Sequence, residues 1–136
     1  MIANWEGMRR IDGEILIIED DPTLRRITQH IVEELGAEAV TFESADDALV
    51  YLLQSSKHCC LVIADYGVPG QLNGMELIRL VREKWPSVKT LLMSGYELLP
   101  ATVSAPTVYL QKPWTIDELL VSIADLLQPD FPIQKL

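Results

Sequence analysis

The chain has 136 residues, room for one domain of ordinary size. Its 11 Lys+Arg against 20 Asp+Glu leave a formal charge of −9, which opposes direct binding to nucleic-acid phosphates or an anionic membrane. Hydrophobic residues make up 49% and charged residues 23%, enough apolar material for a packed core and too little charge for a disordered chain.

Residues 1–12, MIANWEGMRRID, lack the apolar stretch of a signal peptide and read as a tail. Glu14–Glu19, EILIIE, is a short apolar run of the kind a strand buried on both faces shows. Asp21 offers a helix N-cap and Pro22 a first helical residue. Leu24, Ile27, Ile31 and Leu35 follow at helical spacing, and Gly36 closes the element. Ala37–Phe42 reads as a second strand. Ser44 caps a helix with Ala45, Ala48, Leu49 and Leu52 on its apolar face.

Cys59–Ala64 is the third strand. It is far shorter than the roughly 20 apolar residues of a membrane span. Its two adjacent cysteines read as buried, inert thiols and exclude a disulfide framework, which fits a cytoplasmic protein. The loop GVPGQLNG follows from Gly67 to Gly74. The next helix turns Met75, Ile78 and Val81 inward and stops before Pro86. Thr90–Met93 and Thr107–Leu110 are the fourth and fifth strands. Only twelve residues, GYELLPATVSAP, lie between Ser94 and the fifth strand, so a helix starting at Pro100 is expected to be short or malformed. Thr115 caps the last helix, with Ile116, Leu119, Leu120, Ile123 and Leu127 on one face, and 129–136 reads as a second tail.

Five strand-like runs alternating with helices imply an α/β domain over 13–128: a five-stranded parallel sheet with helices on both faces. In such a sheet the chemistry sits outside the carboxyl ends of the strands. Glu19, Asp20 and Asp21 follow the first strand, Asp65 the third, Ser94 the fourth and Lys112-Pro113 the fifth. Crowded carboxylates repel, and a hard divalent cation such as Mg²⁺ relieves the repulsion. An open Mg²⁺ site beside an isolated aspartate and a lysine suits phosphoryl transfer, with Asp65 as the nucleophile.

Taken together, ILIIEDDP, IADYGVPG, LLMSG and YLQKPW resemble the receiver domain of two-component response regulators, over about residues 14–128. The resemblance implies a flavodoxin-like strand order 2-1-3-4-5. It implies Mg²⁺ on Asp20, Asp65 and the Gly67 carbonyl, with Glu19 acting largely through water. Asp65 would take a phosphoryl group from a phosphohistidine on a histidine kinase or histidine phosphotransfer protein. Ser94 would hydrogen-bond that group, Lys112 would pair with it, and Tyr109 would turn inward as the switch aromatic. Pro113 would follow a cis bond. Gly67 and Tyr96 would flank the path of a hydrolytic water, and slow self-dephosphorylation is expected.

The stunted fourth helix favours a monomer, or a weak dimer through another face. With only QPDFPIQKL after Leu127, no DNA-binding domain is expected, and output through a protein target is expected instead. A stand-alone receiver and one excised from a longer protein both fit. The rival readings are a pseudo-receiver regulated without phosphate, an aspartyl-phosphate phosphatase and a nucleotide-binding flavodoxin-like protein. A phosphatase would want a second Asp where Gly67 stands, and no glycine-rich phosphate loop follows the first strand. His30 and His58 are not at strand ends and are not read as phosphoryl carriers or ligands.

Overall fold

The computed structural model describes residues 4–95 and 106–136. Strands β2 (Glu14–Ile18), β3 (Glu38–Phe42), β4 (Cys59–Asp65), β5 (Lys89–Ser94) and β6 (Val108–Gln111) form one parallel sheet in the order β3-β2-β4-β5-β6. Numbered within that sheet alone, this is the expected order 2-1-3-4-5. Helices α1 (Pro22–Glu34), α2 (Ala45–Gln54), α3 (Gly74–Lys84) and α4 (Ile116–Leu127) cover it. The segment expected to hold a short fourth helix, with Tyr96, lies at 96–105, outside the described residues.

Alternation along the buried strands divides the core into two layers. Ile15, Ile17, Leu61, Ile63, Leu91 and Met93 meet Ile31 and Val32 of α1 and Leu119, Leu120 and Ile123 of α4. Leu16, Ile18, Val62, Ala64 and Leu92 meet Ala48 and Leu52 of α2 and Leu77, Ile78 and Val81 of α3. Each fully buried Leu or Ile contributes about 1.5–3 kcal/mol of transfer free energy. Ile27 departs from the expected inward face: it is 44% exposed. The buried stripe of α1 centres on Thr28, Ile31 and Val32, and Ile27 sits at its edge, beside Trp114. Cys59 is buried as expected, whereas Cys60 is half-buried; burial pushes the Cys59 thiol up to about 12 and the Cys60 thiol up to about 11, which disfavours the reactive thiolate.

The caps read from the sequence form as expected. Asp21 accepts from the Thr23 and Leu24 amides, Ser44 from the Asp47 amide, and Thr115 shares a capping box with Glu118. A second capping box, Asn73 with Glu76, starts α3 and was not anticipated.

Of the two segments read as tails, the described residues 4–12 and 129–136 are tied to each other and to the domain. Strand β1 (Trp5–Glu6) pairs antiparallel with β7 (Gln134–Lys135). Trp5, Met8 and Ile133 pack against the α1–α4 layer of the core. The Trp5 indole N–H donates to Asp117 at 3.0 Å, and Lys135 reaches the same carboxylate at 2.6 Å. Gln128, buried at 6% exposure, ties both arms: its Oε1 accepts from the Arg9 amide at 2.8 Å, and its Nε2 donates to the Gly7 and Phe131 carbonyls at 2.8 and 2.6 Å.

Gln128→Ala would strip partners from three backbone groups at once. It is expected to lower unfolding stability in urea by about 1–3 kcal/mol, with faster hydrogen exchange at the Arg9 amide. An unchanged urea midpoint would show that these three bonds contribute nothing to stability.

Candidate functional site

The parallel register carries the ends of β2, β4 and β5 to one rim of the sheet. Ile18 pairs with Ala64, and Asp65 pairs with Met93. Glu19 therefore stands beside Asp65, and Ser94 ends the next strand. Asp65 and Ser94 are the last residues of β4 and β5 rather than the first residues after them. The Lys112 amide donates to the Ser94 carbonyl at 2.8 Å, which fixes the start of the Lys112-Pro113 turn against β5. The Lys112-Pro113 bond is cis, as expected.

At that rim the Lys112 Nζ lies 2.7 Å from Glu19 Oε1 and 2.8 Å from Asp65 Oδ1. Glu19 is 1% exposed, and its other oxygen accepts from the Asp21 amide at 3.1 Å. Asp65 is buried and takes the Gly67 amide on Oδ2 at 3.2 Å. Asp20 is exposed beside them. Glu19, Asp20 and Asp65 each offer an oxygen within 4.8 Å of the others. Three hard oxygen donors on one open rim fit a small divalent cation such as Mg²⁺.

Burial pushes the Glu19 carboxyl above the usual carboxylate range, aided by the neighbouring Asp65 charge and opposed by the Lys112 and Asp21 hydrogen bonds. Burial alone would pull the Lys112 ammonium down. Its bonds to Asp65 and Glu19 outweigh that, and its pKa is raised. A raised lysine pKa stabilises the fold fully below the ordinary lysine value and loses that contribution as pH rises through the folded one.

All the expected site residues other than Tyr109 meet at this rim: Glu19, Asp20, Asp65, Gly67, Ser94 and Lys112. Ser94 is 1% exposed. Tyr109, opposite Leu92 on β6, is half-buried and packs against the α2–α3 side of the core.

Two supports were not anticipated. Gly74 begins α3, and a Cβ there would stand 2.2 Å from the Asp65 carbonyl oxygen. The sequence shows it only as the last glycine of a loop. Arg25, one turn into α1, donates from Nη1 to the Glu19 carbonyl at 2.9 Å and pairs through Nη2 with Glu43 at 3.5 Å. Its place after an acidic cap is the only sequence signal for that role.

The profile for the response regulator receiver domain matches residues 15–124. The chain belongs to this family. A receiver domain is a signalling module of two-component systems. The chain is 33% identical over 116 residues to the response regulator FleR of Pseudomonas aeruginosa, covering 82% of this chain and 24% of FleR. It spans about a quarter of the length of the curated relatives it matches.

A CheY-like receiver from Methanospirillum hungatei superposes with TM-score 0.76 at 25% identity, over 88% of this chain and 96% of that one. The response regulator TrrA of Thermotoga maritima, solved in complex with Mg²⁺-BeF, gives TM-score 0.72 at 28% identity, over 86% of this chain and all of TrrA. Among the described residues, no helix is long and apolar enough to cross a membrane.

Gly74→Ala is expected to cost about 3 kcal/mol of stability, the upper part of the overpacking range. An unchanged melting temperature would mean that the α3 start moves away freely. Lys112→Ala should tighten Mg²⁺ binding severalfold in a calorimetric titration, because the ammonium no longer competes for Glu19 and Asp65. Unchanged or weaker Mg²⁺ affinity would show that the lysine does not oppose the cation.

Proposed function

We propose that this receiver accepts a phosphoryl group on Asp65 from a phosphohistidine of a histidine kinase or histidine phosphotransfer protein, and so switches a surface that binds a downstream protein. The observation that carries the reading is the Lys112 ammonium held between Glu19 and Asp65, next to Asp20, at the end of the sheet. That arrangement puts one nucleophilic carboxylate among fixed positive and negative groups in a part-buried place, where phosphoryl transfer needs positioning and charge neutralisation more than covalent assistance.

Asp20, Asp65 and the Gly67 carbonyl would hold Mg²⁺, with Glu19 acting largely through water; the bound cation would neutralise charge on the phosphoryl oxygens. A carboxylate oxygen of Asp65 attacks phosphorus in line with the histidine nitrogen. The P–O bond forms as the P–N bond breaks, and the electron pair leaves on the imidazole. Lys112 stays paired with the new phosphoryl oxygens, and the Ser94 hydroxyl donates to one of them. As Ser94 moves toward the phosphoryl group, Tyr109 turns inward and the surface around β6 changes.

Only the protein's own phosphorylation and dephosphorylation are catalysed here, so the chain is read as a switch and not as an enzyme acting on outside substrates. Its acidity favours protein partners over nucleic acid or membrane.

Intact-mass spectrometry after incubation with acetyl phosphate tests the reading. One phosphoryl adduct is expected, dependent on Mg²⁺ and absent in Asp65→Asn. No adduct in the wild type, with no Mg²⁺-dependent rise in melting temperature, would overturn it in favour of a receiver fold regulated by protein contacts alone.

A further inference from the structure

We propose that Asp46, in the first turn of α2, is a positioning residue for the loop that follows Asp65: it holds the loop's outer half so that the Gly67 carbonyl stands where the divalent cation needs it. The inference rests on the phosphoacceptor reading above.

The loop from Tyr66 to Asn73 contains no helix or strand. Its two ends are tied by backbone bonds. The Tyr66 amide donates to the Met93 carbonyl at 2.8 Å, and the Gly74 amide donates to the Tyr66 carbonyl at 3.1 Å. Between those ties, Val68 is buried at 6% exposure. The outer half rests on one carboxylate: Asp46 Oδ2 accepts from the Gln71 amide and Oδ1 from the Leu72 amide, each at 2.9 Å. Bonds from amides to an ionised carboxylate are about twice as strong as neutral ones. The first turn of a helix is also where its dipole favours an anion.

The loop is shaped to receive that carboxylate. Gly70 has φ +112°, a conformation that favours glycine, and a Cβ there would lie 2.6 Å from Asp46 Oδ2. Pro69 lies between Gly70 and the buried Val68, and its fixed φ stiffens the connection back to Gly67. Only Val68, Pro69 and Gly70 separate Gln71 from Gly67, and the buried Val68 and the fixed φ of Pro69 limit how far a shift of Gln71 and Leu72 is absorbed before it reaches the Gly67 carbonyl. Groups that orient a metal ligand from outside its contact set typically affect metal affinity by about 10–100-fold.

The test is a calorimetric Mg²⁺ titration of the full chain, well below each variant's melting temperature, with Mg²⁺ alone as ligand. Asp46→Ala is expected to weaken binding roughly tenfold and to release the Gln71 and Leu72 amides to faster hydrogen exchange without metal. Asp46→Asn, neutral but still able to accept from one amide, should recover much of the affinity. Asp47→Ala removes the same charge from the same turn without touching the loop, and should bind as the wild type does. Phosphorylation by acetyl phosphate should be slowed in Asp46→Ala at low Mg²⁺ and restored at saturating Mg²⁺.

Wild-type Mg²⁺ affinity in Asp46→Ala, with only a lower melting temperature, would overturn the proposal and leave Asp46 a structural anchor. Equal weakening in Asp47→Ala would overturn it in favour of long-range charge. Failure of the wild type itself to bind Mg²⁺ would instead overturn the phosphoacceptor reading on which the proposal rests.

Discussion

The Lys112 ammonium between Glu19 and Asp65 is the contact on which the rest of the site depends. Two acids brought side by side by a parallel sheet would repel strongly in a part-buried place. A single cation at 2.7 and 2.8 Å from their oxygens lets both strand ends stay together. Removing the lysine would leave two buried carboxylates without their counter-charge, which costs several times what an exposed ion pair is worth. The Lys135–Asp117 pair on the terminal ribbon, with both side chains about half exposed, is the contrasting case.

That contact needs a rigid frame, and the frame is the sheet. The Ile18–Ala64 and Asp65–Met93 registers decide which side chains face one another at the rim. The Lys112 amide bond to the Ser94 carbonyl seats the lysine turn on β5. Gly74 lets α3 start directly against the Asp65 backbone, and Arg25 holds the Glu19 carbonyl from α1. The chemical groups are thus positioned mostly by backbone, and their side chains need only short reaches.

Much of this was legible in the sequence, for physical reasons. Strands buried on both faces appear as unbroken apolar runs such as ILII and CLVIA, and a parallel sheet places function at their carboxyl ends. The placement of Asp65, Ser94 and Lys112 together at one rim could therefore be read from strand position, while their detailed roles were read from the family resemblance. Pairing across the sheet could not: the Lys112–Glu19 bond joins residues 93 apart and needs the register. The close approach at Gly74 looks in sequence like an ordinary turn glycine. The loop contact of Asp46 looks like an ordinary first-turn acid. The β1–β7 ribbon has strands of two residues, too short to leave a periodic pattern, so both arms read as tails. Ile27 fits a helical stripe by spacing, yet it is 44% exposed and lines a surface hollow with Leu24 and Trp114.

The most direct test of the central claim is a crystal structure of the chain with Mg²⁺ and beryllium fluoride. The account predicts beryllium bonded to an Asp65 carboxylate oxygen, with Lys112 and Ser94 on its fluorines. It predicts Mg²⁺ on Asp20, Asp65 and the Gly67 carbonyl at about 2.0–2.1 Å. Beryllium fluoride on another residue, or Mg²⁺ bound away from these three oxygens, would contradict it.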